Sequence, residues 1–171
     1  IFNYLTHEFH PGNDLPSVLF LPTYTATAWY HKRLSAELQA KPLRKVLAEA
    51  EQWASTTYLL ALVKGDGLQG EERAAIARDL ARYSGLTEEV VERSNLRIQI
   101  HRFCKELLRD QKRTVGRLDS RYTGIDALAV TEEPDYDPSL AAIRPPFTST
   151  INRYLRFDLG YENDDEYQIL N

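Results

Sequence analysis

His7 and His10, with Asp14 close behind and His31 further along, are residue types that hold transition metals. A zinc-binding helix sets two histidines four residues apart, so that both imidazoles share one face. Here they stand three apart and Pro11 ends the run. The reading is of loop histidines that hydrogen-bond locally or face solvent, and no metal is expected. Cys104 could act as a nucleophile only with a base beside it. On a helix it falls on the apolar stripe of Ile100 and Leu108, while His101 points elsewhere, so a buried, inert thiol is expected. No serine lies in Gly-x-Ser-x-Gly, and neither common glycine-rich phosphate loop is present. Glu132-Glu133 and Asp164-Asp165 read as solvated loop charges. The sequence holds no complete catalytic constellation and calls for no cofactor.

Two segments are less ordinary. Tyr24, Trp29, Tyr30 and His31 crowd one short helix after Leu21-Pro22. Aromatic rings with a polar tip pack into cores, and they also wall pockets that receive a side chain. Arg117, Asp119 and Arg121 alternate along one face of an extended segment. They read either as ordinary salt bridges to neighbouring helices or as a buried charge network that orders a loop.

The elements that must position these groups are mainly helical. Residues 1–6 read as one strand, and residues 10–14 form a turn cluster. Asn13 or Asp14 is placed to cap a short helix through Leu21, and Thr23, just after Pro22, to cap a second over 24–34. The clearest helix spans 41–64, where Leu43, Val46, Leu47, Ala50, Trp53, Ala54, Thr57, Leu60 and Ala61 recur at three- and four-residue spacing. A helix over 70–84 has Glu71 and Glu72 at its positive end and Gly85 at its C-terminal cap. Thr87 caps a short helix, and after Asn95 another runs to about Asp110. Residues 114–122 alternate and are poor in helix formers, which predicts an extended or hairpin segment. After an acidic loop, Asp137-Pro138 opens a helix that breaks at Pro145-Pro146 and resumes over 147–159, with Gly160 closing it. Residues 167–170 read as a further strand.

Composition bounds the function classes. The 171 residues are 43% hydrophobic and 27% charged, enough to bury a core, with one domain as the natural expectation. Net charge is -4, and the most basic run, 109–121, is interrupted by Asp110 and Asp119, so no nucleic-acid partner is expected. The longest apolar run, 18–21, is far short of a membrane span, so no membrane is expected either. A single cysteine excludes an internal disulfide. No residue is methionine and Ile1-Phe2-Asn3-Tyr4-Leu5 does not read as a translation start, which predicts an internal stretch of a longer protein. In such a stretch some parts of a site lie elsewhere.

Five blocks carry a family resemblance. They are Gly-Asn-Asp-Leu-Pro (12–16), Leu-Pro-Thr-Tyr-Thr-Ala-Thr-Ala-Trp-Tyr-His (21–31), Lys-Glu-Leu-Leu-Arg-Asp (105–110), Arg-Thr-Val-Gly-Arg-Leu-Asp-Ser-Arg-Tyr-Thr-Gly (113–124) and Tyr-Asp-Pro-Ser-Leu-Ala-Ala-Ile (136–143). Together they resemble the middle of serine carboxypeptidases, the family of carboxypeptidase Y and cathepsin A, and most closely its bacterial branch. The resemblance implies the helical cap of an α/β-hydrolase, mainly α with short extended segments at its edges. Residues 1–6 would be a strand of the hydrolase core, 7–160 the cap and 161–171 the return toward the core. The parent would remove C-terminal residues from peptides with a Ser-Asp-His triad. The triad serine would lie upstream and the Asp and His downstream, so no catalytic residue carries over and the chain alone is expected to be inactive. Under this resemblance Tyr24 and Tyr30 become the substrate-pocket candidates, chosen by location and residue type. The expected partners are the peptide, through the parent, and the rest of the hydrolase domain. Self-association through the surface meant for that domain is also expected. Localisation stays open, with export of the parent to periplasm or medium among the options. Two other readings remain: a non-catalytic helical interaction module, and the cap of an esterase or lipase.

Overall fold

The computed structural model describes residues 12–163. The strands expected at 1–6 and 167–170, the histidines His7 and His10, and most of the return segment 161–171 lie outside those residues. What is described is mainly helical, with one two-stranded hairpin.

Helix α1 (Leu15–Tyr30) runs straight through Pro22, where a break was expected. A proline inside a helix costs roughly 3 kcal/mol, because it removes a hydrogen bond and crowds the preceding turn. Packing offsets that cost. Val18, Leu21, Tyr24 and Ala28 are buried on one continuous face, and α1 lies against the helices described next. Thr25 and Thr27 are buried too, and each hydroxyl donates to a carbonyl four residues back, at Leu21 (2.9 Å) and Thr23 (3.0 Å). Asp14 flanks the helix without capping it, because its carboxylate is taken by Arg97 at 2.6 and 3.0 Å. Thr23 lies inside the helix and caps nothing.

After a single turn, α2 (Ala36–Gln39), come α3 (Leu43–Trp53) and α4 (Leu59–Val63), joined by a π-turn at Ala54–Tyr58. Pro42 stands at the N-cap of α3, where its missing N–H costs nothing. The π-turn takes in one more residue per turn than an α-helix and so rotates the inward face. Hence Tyr58 and Leu62 are buried while Thr57 and Leu60, expected on that face, are exposed.

α5 (Gly70–Ser84) ends on Gly85 at φ 73, with Arg82 in its last turn. Two demands meet at Gly85: the left-handed cap, and a close approach in which a Cβ would stand 2.8 Å from that of Ala28. α6 (Glu88–Arg93) is capped by Thr87, whose hydroxyl accepts from the Val90 N–H at 3.3 Å. α7 (Ile100–Glu106) is shorter than expected and gives way to a 3-10 turn at Arg109–Gln111. The core gathers between these helices around Leu21, Leu38, Val46, Tyr58, Leu80, Val91, Leu96, Ile98 and Leu107. Two buried phenols tie it to the backbone: Tyr24 donates to the Ile98 carbonyl (3.1 Å), and Tyr58 donates to that of Leu96.

Strands β1 (Thr114–Val115) and β2 (Thr123–Gly124) pair antiparallel, Thr114 opposite Gly124 and Val115 opposite Thr123. α8 (Pro138–Arg153) then packs on the hairpin. Asp137 caps it, accepting from Ser139 N–H (2.9 Å) and Leu140 N–H (3.3 Å). The break expected at Pro145-Pro146 is absent. The carbonyls those prolines leave without an N–H belong to Ala141 and Ala142, both exposed, so neither is a buried polar group left without a partner. A second π-turn, Tyr154–Asp158, follows.

Candidate functional site

The C-terminal end of α1 meets the hairpin loop. His31 Nε2 lies 2.6 Å from the Ser120 carbonyl. A carbonyl only accepts, so Nε2 carries the proton in this contact. Tyr30 packs edge-on against the His31 ring at 4.9 Å and is 53% exposed. Its neighbour across the junction is Arg121, which lies close enough to Tyr30 and Tyr122 for both phenols to favour its charged form. Trp29, half-buried on the same turn, donates to the Lys41 carbonyl at 3.3 Å.

The loop facing this end is shaped by its own bonds. The Gly116 N–H donates to the Tyr122 carbonyl (2.9 Å) and the Tyr122 N–H to the Asp119 carbonyl (3.2 Å). Asp119 accepts the Arg121 backbone N–H at 3.1 Å and its guanidinium at 2.6 Å. These bonds hold the Asp119 carboxyl down at about 2, the guanidinium contributing most. The pair is solvent-facing, with Arg121 71% exposed, and so lends little to global stability.

Arg117 does not join that pair. Its backbone N–H donates to Asp137 Oδ1 at 3.2 Å, and its guanidinium stands 3.9 Å from Oδ2. Asp137 also accepts the Ser139 hydroxyl at 2.5 Å. Burial pushes the Asp137 carboxyl up, but the Ser139 hydroxyl and the N–H groups of Arg117, Leu140 and Ser139 outweigh it, and the net direction is down. Asp137 is therefore an anionic clasp between the hairpin loop and α8. Gly116 permits the closeness, since a Cβ there would sit 2.6 Å from Ser139 Cβ.

Tyr24 and Tyr30 are placed apart. Six residues separate them on one helix, which is about 9 Å of rise and a different face. Tyr24 is 3% exposed, stacked on Phe103 at 4.1 Å, and its phenol is pushed well up by burial. Tyr30 alone of the two offers its ring to solvent. The Cys104 thiol is buried, pushed up to about 12 by that burial and then by the charge of Asp137, and so stays protonated. Among the described residues no group of His, Cys, Asp and Glu is arranged to hold a metal. Nor is any helix among them long and apolar enough to cross a membrane.

A second polar anchor escaped sequence reasoning. Lys105, 3% exposed, donates to Asp126 (2.6 Å) and to the Leu128 carbonyl (2.8 Å). Arg109 grips Glu106 at 2.7 Å and reaches the carbonyls of Ala129 and Thr131. Asp126 in turn accepts the Asp135 N–H at 3.1 Å. The 126–135 loop is thereby tied to α7 and the turn after it. The one sequence signal was a lysine beside Cys104, where a helix turns inward. Comparison with family models, curated proteins and solved structures finds no match for this chain.

Proposed function

We propose that this chain is the helical cap of a serine carboxypeptidase, shaping the peptide pocket for a Ser-Asp-His triad borne by the rest of an α/β-hydrolase. The supporting observation is spatial. The blocks that carry the resemblance are scattered over 12–143, yet they adjoin in the fold. Block 21–31 touches 113–124 through His31 and Ser120. Block 105–110 meets it where the Arg113 N–H donates to the Leu108 carbonyl at 3.2 Å. Block 113–124 joins 136–143 through Asp137 and Ser139. Block 12–16 opens the helix that carries 21–31.

In this reading the cap excludes water and selects the side chain that fits, with Tyr30 facing the pocket and Tyr24 supporting the helix from beneath. Phe147, Tyr154, Phe157, Leu159 and Tyr161 are exposed along the far half of α8 and beyond, where the rest of a hydrolase domain would cover them. The same exposed residues favour a second reading, a non-catalytic module that binds a partner. A serine-directed phosphonate separates the two. The full-length parent should be labelled at a serine outside these 171 residues, and the chain alone should stay unlabelled. A parent that takes no label would favour the binding module, and a labelled serine within the chain would overturn the cap reading.

A further inference from the structure

We propose that the cavity between the 109–113 turn and the 125–129 loop binds a small oxyanion, most favourably a carboxylate with a short apolar tail. The cavity is about 220 Å³ and is lined by Lys105, Arg109, Lys112 and Arg113 together with Ile125, Asp126, Ala127 and Ala129. Two of its four cations are matched, Lys105 by Asp126 and Arg109 by Glu106. The other two are not. Among the described residues no carboxylate lies within ion-pair reach of Lys112 or Arg113. Among the described residues the Arg113 guanidinium donates only to neutral oxygens of Thr123, at 2.6, 3.0 and 3.3 Å.

Two other cavities do not share this imbalance. The one beside Leu68 and Leu96 has Arg73 and Arg97, paired with Glu92 and Asp14. The one beside Gln99 has Arg93 and Arg102, paired with Glu89 and with Glu106 and Glu132. Of these three cavities, the one beside Ile125 is where unbalanced cations meet alanine and isoleucine walls. An oxyanion would gain charge-assisted hydrogen bonds at one end and bury apolar carbon at the other. Lys112 also holds φ 56, a left-handed conformation uncommon for a residue with a side chain. The site is independent of the cap reading, because it uses no triad residue.

The test is a titration of the 171-residue chain, followed by backbone amide NMR, with sodium phosphate, acetate and butyrate against sodium chloride at matched ionic strength. Saturable shifts confined to 112–113 and 125–129 with any of the three oxyanions support the site. Butyrate tighter than acetate assigns it to an organic carboxylate; saturation by phosphate alone assigns it to a phosphoryl group. Lys112→Gly removes the charge while easing the left-handed backbone, so it stays folded, and should weaken binding about tenfold, the loss of one charge-assisted hydrogen bond. A response no different from chloride, or unchanged affinity in Lys112→Gly, overturns the proposal.

Discussion

Residues 15–108 close around apolar side chains, whereas residues 113–163 are held by directed polar contacts. Of the buried hydrophobic core among the described residues, only Val115 lies beyond Leu108. The later region relies instead on Lys105 with Asp126, on Asp137 with Ser139, and on glycines that let backbone and side chain touch. Apolar burial is non-directional and sums over a large area. A polar clasp depends on each atom being in place and costs free energy when left half-made. The first region should therefore fail as a whole, and the second piece by piece.

Leu80→Ala is expected to have the largest effect. Leu80 is 1% exposed on the buried face of α5, and truncation should cost about 3–5 kcal/mol of stability, read as a drop in thermal midpoint seen equally by all probes within residues 15–108. A transition that splits in two within residues 15–108 would break the picture of that region as one cooperative body. Lys105→Ala leaves Asp126 buried without its ammonium. A rigid interior would lose roughly 3–5 kcal/mol. Here the loop can open, so the global loss should be smaller, about 2 kcal/mol, with hydrogen-exchange protection lost at 126–131 and kept in α3 and α5. Uniform loss of protection would place this loop in the body instead.

Gly116→Ala comes next. The new Cβ would meet the Asp119 carbonyl at 2.5 Å and Ser139, and the strain should cost about 1–2 kcal/mol. Its signature should be displaced resonances at 114–124 and 137–140 with those of α5 unmoved. The smallest effect is acid titration of Asp119. Its folded carboxyl is depressed to about 2 from an ordinary 3.8, so its contribution is present above about pH 4 and fades as pH falls through 2. Arg121→Ala should return the carboxyl toward its ordinary value, as read by a carbon-detected NMR titration. No change would mean that the backbone N–H alone holds it down.

The same contrast explains what the sequence disclosed. Helices over 43–63, 70–84 and 88–93 were legible because their caps and periodic apolar faces are local signals: Gly85 and Thr87 stand where expected. Pro22 and Pro145-Pro146 misled because a proline signals a break locally, while α1 is held by tertiary packing and the carbonyls freed in α8 are exposed rather than buried. The π-turn at 54–58 shifted the buried face by a residue, which no regular period foresees. The hairpin was legible from its alternation, but its partners were not. Arg117 turns to Asp137 rather than Asp119, and Lys105 finds Asp126 across 21 residues. Pairings of that kind depend on where loops land.

The central claim is that these helices cap a carboxypeptidase. The most direct measurement is C-terminal residue release by the full-length parent, from a peptide with a free carboxylate and from its amidated twin. Release from the free peptide, little from the amide, and loss of both after phosphonate treatment is the predicted result. A folded parent that releases nothing from either peptide would contradict the account.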